Sequence, residues 1–166
     1  TSATFALGSM LQFQFLTFST DCLVNRYGYK FEDAKNTVAL MPISSMIVSP
    51  FVAAAIGKVG KKPLILVIDI FLGVGVYIFM RSLEVQPSYL VVLSIVLIGV
   101  HYSIFVAIVW PSMTLTVPQT TTAAALGLAT TLQNFCITIL SYYFGYLNLA
   151  RTKQAYDRSF FSLIVI

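Results

Sequence analysis

Long apolar runs, broken by short polar or basic turns, make up most of this sequence and predict an all-α chain. They place helices over about residues 5–23, 32–56, 63–80, 89–116 and 121–146, and a truncated sixth over 160–166. The clearest unit runs from Gly99 to Gly145, two apolar helices joined by an uncharged turn. Pro111 and Pro118 punctuate the end of its first helix, and Thr120, Thr121 and Thr122 offer capping hydroxyls to its second. On that second helix Thr130, Asn134, Thr138 and Ser141 fall within an arc of about 80° at 100° per residue. Gln133 lies beside the arc. A polar stripe on an apolar helix must meet protein or water rather than lipid.

The other helices carry polar positions of their own. In the first, Ser9, Gln12 and Ser19 share one side and Gln14, Thr17 and Asp21 the other, either lining a cavity or bonding packed helices. The second opens with Glu32 and Asp33, where acids complement the helix dipole, and contains Pro42 and Pro50. Each proline removes an amide donor, and Ser44, Ser45 and Ser49 are available to the freed carbonyls. Ala53, Ala54 and Ala55 offer a small surface for close helix approach. Asp69 stands inside the third helix, where a carboxylate must be protonated, paired or wet; it is a candidate coupling residue or a structural hydrogen bond. His101 is a candidate proton relay, but its own helix supplies no acid within a turn, which favours a neutral, hydrogen-bonding imidazole.

Composition fixes the solvent. The 166 residues are 58% hydrophobic and 10% charged, with a mean hydropathy of +0.87, too few charges to cover a soluble globule. The chain is expected to be an integral membrane protein with the lipid bilayer as its main partner. The net charge of +4 comes from basic residues clustered at helix ends, which read as topology signals and give no indication of nucleic acid. Cys22 and Cys136 sit in apolar surroundings without metal-like spacing and read as packing residues. No nucleophile elbow, phosphate loop, zinc spacing or paired carboxylates on one helix point to an enzyme, a metal or another cofactor. The start at Thr1 and the stop within an apolar run read as a fragment, and no basic region precedes the first helix as in a cleaved signal.

The order of spans, the Gly-Lys loop at Gly60, Lys61 and Lys62, and the Trp110-Pro111 to Gln133-Asn134 region resemble the C-terminal six-helix half of a major facilitator superfamily transporter. Gly99, Tyr102-Ser103, Trp110-Pro111, Val117-Pro118, Gly127, Gln133-Asn134 and Gly145 are similar to the branch that contains lysosomal dipeptide transporters. The family's loop between the second and third helices has the form G-x-x-x-D-x-x-G-R/K-R/K. Here Ala53 and Gly57 replace its first glycine and its acid, while Lys58, Gly60, Lys61 and Lys62 keep it basic. The resemblance implies a secondary carrier of a small solute, a dipeptide or a related organic compound, in a lysosomal or other endomembrane. It implies that the first, second, fourth and fifth helices face the central cavity and that the third and sixth lie outside, away from substrate. Gln12, Tyr102, Thr130, Asn134 and Thr138 are then the expected cavity wall, opposed by a missing N-terminal half. The alternative is a transport-incompetent subunit that scaffolds other membrane subunits. Arg26, Lys30, Arg81, Arg151, Lys153 and Arg158 fall on one membrane side and Lys58, Lys61 and Lys62 on the other. Charge counting puts the first group inside, whereas the resemblance puts the Gly-Lys loop in the cytoplasm.

Overall fold

The computed structural model describes residues 15–60, 62–83, 89–149 and 153–165, and among them every regular element is helical. Helix α1 covers 15–25, followed by α2 (Phe31–Val59), α3 (Lys62–Ser82), α4 (Tyr89–Thr116), a 3-10 turn (Gln119–Thr121), α5 (Thr122–Asn148) and α6 (Lys153–Val165). Four of them, α2, α3, α4 and α5 with its leading turn, are long and apolar enough to cross a membrane. Gln12, Lys61 and Arg151 lie outside the described residues.

Local chemistry sets the helix ends. Gly28 and Gly60, at φ of 71° and 69°, take the left-handed conformation that closes α1 and α2, and the Gly60 amide donates back to the Ile56 carbonyl at 3.1 Å. Glu32 and Asp33 occupy the first turn of α2 as expected, and Lys35 pairs with Glu32 at 3.0 Å. Pro111 does not end α4, which runs on to Thr116. Pro111 removes the amide donor to the Ala107 carbonyl without stopping the helix, and one position on the Ser112 hydroxyl adds a bond to the Ile108 carbonyl at 2.6 Å. The threonines of the turn act differently from expectation. Thr121 and Thr122 donate their hydroxyls back to the Pro118 carbonyl, at 3.2 and 3.1 Å, and so hold the 3-10 turn closed instead of capping α5.

Packing follows small residues and aromatic contacts. Helix α2 lies along α4, α3 packs on α4 and α6, and α5 packs on α6. The close approach of α2 to α4 is at Gly99, whose missing side chain makes room for the Ser44 hydroxyl and the Met41 carbonyl. Ser44 donates to the carbonyls of Met41 at 2.8 Å and Val96 at 3.3 Å, rather than to a carbonyl freed by proline. Ala53, Ala54 and Ala55 remain exposed, because the glycine on α4 has already set the contact a helix turn or more earlier. Phe15 meets Tyr77 of α3 edge-on and Phe18 stacks on Phe144 of α5, both with centroids 5.6 Å apart. These rings belong to the main core, with Met80 of α3, Ile95 and Ile98 of α4 and Tyr156 of α6.

Helix α6 begins seven residues before the apolar run expected at 160, so Lys153 and Arg158 are helical rather than in a loop. Its polar first half is useful to the fold: Asp157 reaches a buried arginine. Arg26, whose side chain is fully enclosed, pairs with Asp157 at 2.8 Å and donates to the carbonyls of Met80 at 3.1 Å and Arg81 at 2.7 Å. It also contacts the Tyr27 hydroxyl, which itself donates to the Met80 carbonyl at 2.5 Å. The α1–α2 turn, the C-terminus of α3 and α6 are thereby joined at one end of the bundle. Arg26 is a structural clamp, where sequence had suggested a topology signal.

Candidate functional site

On α2 the residues Pro42, Ser45, Met46, Ser49, Pro50 and Ala53 recur at helical spacing and form one stripe. With Tyr102 of α4 they line an open cleft of about 540 Å³. Pro42 and Pro50 cannot donate to the carbonyls one turn earlier, those of Val38 and Met46, which stay available as acceptors. The cleft is uncharged and mostly apolar, with the Ser45, Ser49 and Tyr102 hydroxyls as its hydrogen-bonding points, on a helix whose neighbouring faces expose Ile43, Ile47 and Phe51.

A second cleft, of about 380 Å³, lies between α1 and α5. Thr17, Phe18 and Asp21 form one wall and Ser141, Phe144, Gly145, Asn148 and Leu149 the other. Ser141 is the last member of the polar arc on α5. Further back along that arc Thr130 is half-buried and donates to the Leu126 carbonyl at 2.8 Å, while exposed Thr138 donates to the Asn134 carbonyl at 2.9 Å. Both hydroxyls are satisfied by their own helix. Asn134 is exposed, and its amide makes no hydrogen bond among the described residues; neighbouring Gln133 turns inward and is buried. The expected wall is therefore divided: Tyr102 lines the α2–α4 cleft, and Thr130, Asn134 and Thr138 lead along α5 toward the α1–α5 cleft.

Asp69 and His101 enter neither cleft. They meet across the α3–α4 seam, His101 Nδ1 lying 2.9 Å from Asp69 Oδ1. The separation is that of an ion pair, without the alignment of a straight hydrogen bond. The acid missing from the histidine's own helix thus comes from α3, which removes the argument for an isolated imidazole. Sequence held the signal, since two ionisable groups inside apolar spans each need a partner and each is the other's simplest one. In the basic loop, Lys58 sits in the last turn of α2, favourable to its dipole, Gly60 makes the turn and Lys62 starts α3. Among the described residues no group of three or more His, Cys, Asp or Glu could hold a metal ion, and both cysteines are free thiols. Comparisons with family models, with curated proteins and with solved structures find no match to the chain.

Proposed function

We propose that the chain is one wall of a secondary transporter that moves a small polar solute, a dipeptide or a related organic compound, by alternating access, without covalent chemistry. The observation that carries this reading is the pair of clefts, on α2–α4 and on α1–α5, that bring hydroxyls, the Asn148 amide and the Asp21 carboxylate into a bundle built on apolar helices. Polar groups at that depth are costly against lipid and belong to a water-filled or solute-filled space. The packing of α3 on α6 supports it too, since it leaves those two helices behind the clefts as buttresses. A single wall needs a second to enclose solute, supplied by another half of the same protein or by a partner subunit.

The test uses the full-length gene product in sealed vesicles. Saturable uptake of at least one solute from a panel of neutral and zwitterionic compounds is expected, weakened by Asn134→Ala. In a variant lacking Cys22 and Cys136, single cysteines at Ser49 and Asn134 should react with a water-soluble thiol reagent and be protected by the transported solute. Absence of uptake across the panel, with both cysteines inert, overturns the proposal and favours a structural subunit.

A further inference from the structure

Asp69 is 1% exposed and the His101 side chain 12%, so the pair is held in the interior of two apolar helices. The seam around it is tight. One turn on from Asp69, a Cβ at Gly73 would stand 2.7 Å from His101 Nε2, so this glycine is what lets the ring lie flat against α3. Neither oxygen of Asp69 has an aligned hydrogen-bond donor among the described residues, which leaves the imidazole as its only counter-charge.

Among the described residues the helices around the pair supply no other. On α3 the nearest ionisable side chains are Lys62, seven positions earlier, and Tyr77, eight later. On α4, neighbouring Tyr102 opens into the α2–α4 cleft. Helix α2 has no Asp, Glu, Lys, Arg or His between Lys35 and Lys58, and α5 has none at all, its titratable groups being Cys136 and the tyrosines 142, 143 and 146. On α6, Asp157 is engaged by Arg26 at the bundle end, Tyr156 is buried in the main core and Arg158 is exposed beside Arg81; on α1, Asp21 is exposed in the other cleft and Cys22 is buried in the core.

Charge balance then decides which states the closed seam holds. With one shared proton, as carboxylate and imidazolium or as acid and imidazole, the pair is neutral overall. Loss of that proton to water leaves a buried carboxylate beside a neutral ring; a second proton leaves a buried imidazolium beside a neutral acid. Either form has a net charge in a low-dielectric interior with nothing opposite it, and is relieved only by admitting water. We propose that Asp69 and His101 form a proton-binding site that carries one proton while α3 and α4 are packed together and exchanges it with water only when the seam opens. Coupling of this step to solute movement rests on the transporter reading above; the proton site itself does not.

The experiment follows Trp110, the single tryptophan, nine residues beyond His101 on the same helix. With the full-length gene product in lipid nanodiscs, using a form in which other tryptophans are replaced, Trp110 emission is followed as pH is varied across the range in which the parent stays folded. A transition fitting one proton is expected in the parent and its loss in His101→Gln and in Asp69→Asn. Should a single variant fail to fold, the uncharged double variant serves, and the same loss is expected. A flat parent titration, or a transition unchanged by the substitutions, overturns the proton site. A vesicle arm separates the two proposals. Uptake that follows an imposed pH gradient in the parent and loses that dependence in His101→Gln, with downhill uptake retained, supports both. Variant-sensitive titration with no uptake of any solute supports the proton site and overturns the transporter. Uptake that still follows the pH gradient in both variants supports the transporter and overturns the coupling of this site to it.

Discussion

Arg26 holds three parts of the bundle at once, and removing it exposes what a buried cation contributes to this fold. In Arg26→Ala the Arg81 carbonyl loses its side-chain donor, the Met80 carbonyl keeps only the Tyr27 hydroxyl and the Leu83 amide, the α3 C-terminus loses the positive charge its dipole favours, and a guanidinium-sized void opens beside Tyr27. Breaking a buried, hydrogen-bonded ion pair from one side costs about 3–5 kcal/mol. Asp157→Asn is milder. Asp157 is 27% exposed, so water reaches it, and Arg26 keeps its main-chain acceptors, which puts the loss at about 1–2 kcal/mol. Arg26→Met tests the reasoning hardest. The apolar side chain fills the space, but it leaves the Arg81 carbonyl without its side-chain donor and Asp157 without its counter-charge, so this variant too should be less stable. Cys22, buried one turn before Arg26, provides the assay: with Cys136→Ser, a thiol-reactive fluorophore reports thermal exposure of Cys22 in detergent micelles. The expected order of melting midpoints is parent, Asp157→Asn, Arg26→Met, Arg26→Ala. A midpoint for Arg26→Met equal to the parent's, or a greater loss from Asp157→Asn than from Arg26→Ala, refutes the clamp.

Gly99→Ala should destabilise by about 1–3 kcal/mol and Gly73→Ala by an amount at the lower end of that range, measured by the same thermal assay. At Gly99 the new methyl meets the Met41 main-chain carbonyl and the Ser44 hydroxyl and must push α2 off α4, whereas at Gly73 it meets the His101 ring, which can turn away. Equal losses, or a larger one at Gly73, would contradict this. Burial raises the ionisation range of the Tyr27 hydroxyl above its ordinary value, so the folded chain keeps that proton where the unfolded chain releases it, near pH 10. Its stabilising contribution is complete below that pH and declines as pH rises through it. Tyr27→Phe should cost about 1 kcal/mol at pH 7 and make alkaline unfolding less steep; an alkaline limb identical to the parent's would remove Tyr27 from the clamp.

Apolar run length placed the four long helices to within a few residues, because crossing a bilayer imposes a length and a composition that a single sequence displays directly. The ends of α2 were equally legible, since acids at its start and a left-handed glycine at its stop are local devices. What failed was everything that depends on partners distant in the chain. Arg26 looked like an interfacial charge because Asp157 is 131 positions away and its helix was expected to start only at 160. His101 looked isolated because Asp69 lies on another helix. Ala53, Ala54 and Ala55 looked like a packing surface because small residues permit close approach without requiring it, and Gly99 made the contact instead. The α5 arc was readable as polar, but not that two of its hydroxyls bond their own backbone and leave Asn134 as its open amide.

The same physics limits what exposure says about this surface. In water a large exposed side chain such as Phe51, Phe71 or Phe135 would mark a binding patch, whereas on spans surrounded by lipid it marks only the face that needs no partner. The informative groups are polar ones exposed between the ends of the spans. Among the described residues they include Ser45 and Ser49, partly exposed on α2, and Thr131, Asn134 and Thr138, exposed on α5. The Thr131 and Thr138 hydroxyls already bond their own helix, so a surface opposing this one has to meet the Ser45 and Ser49 hydroxyls, the Asn134 amide and the carbonyls freed by proline with donors and acceptors of its own, because an apolar one would leave them unpaired. That requirement distinguishes a solute-filled space or a matching polar subunit from the bilayer itself.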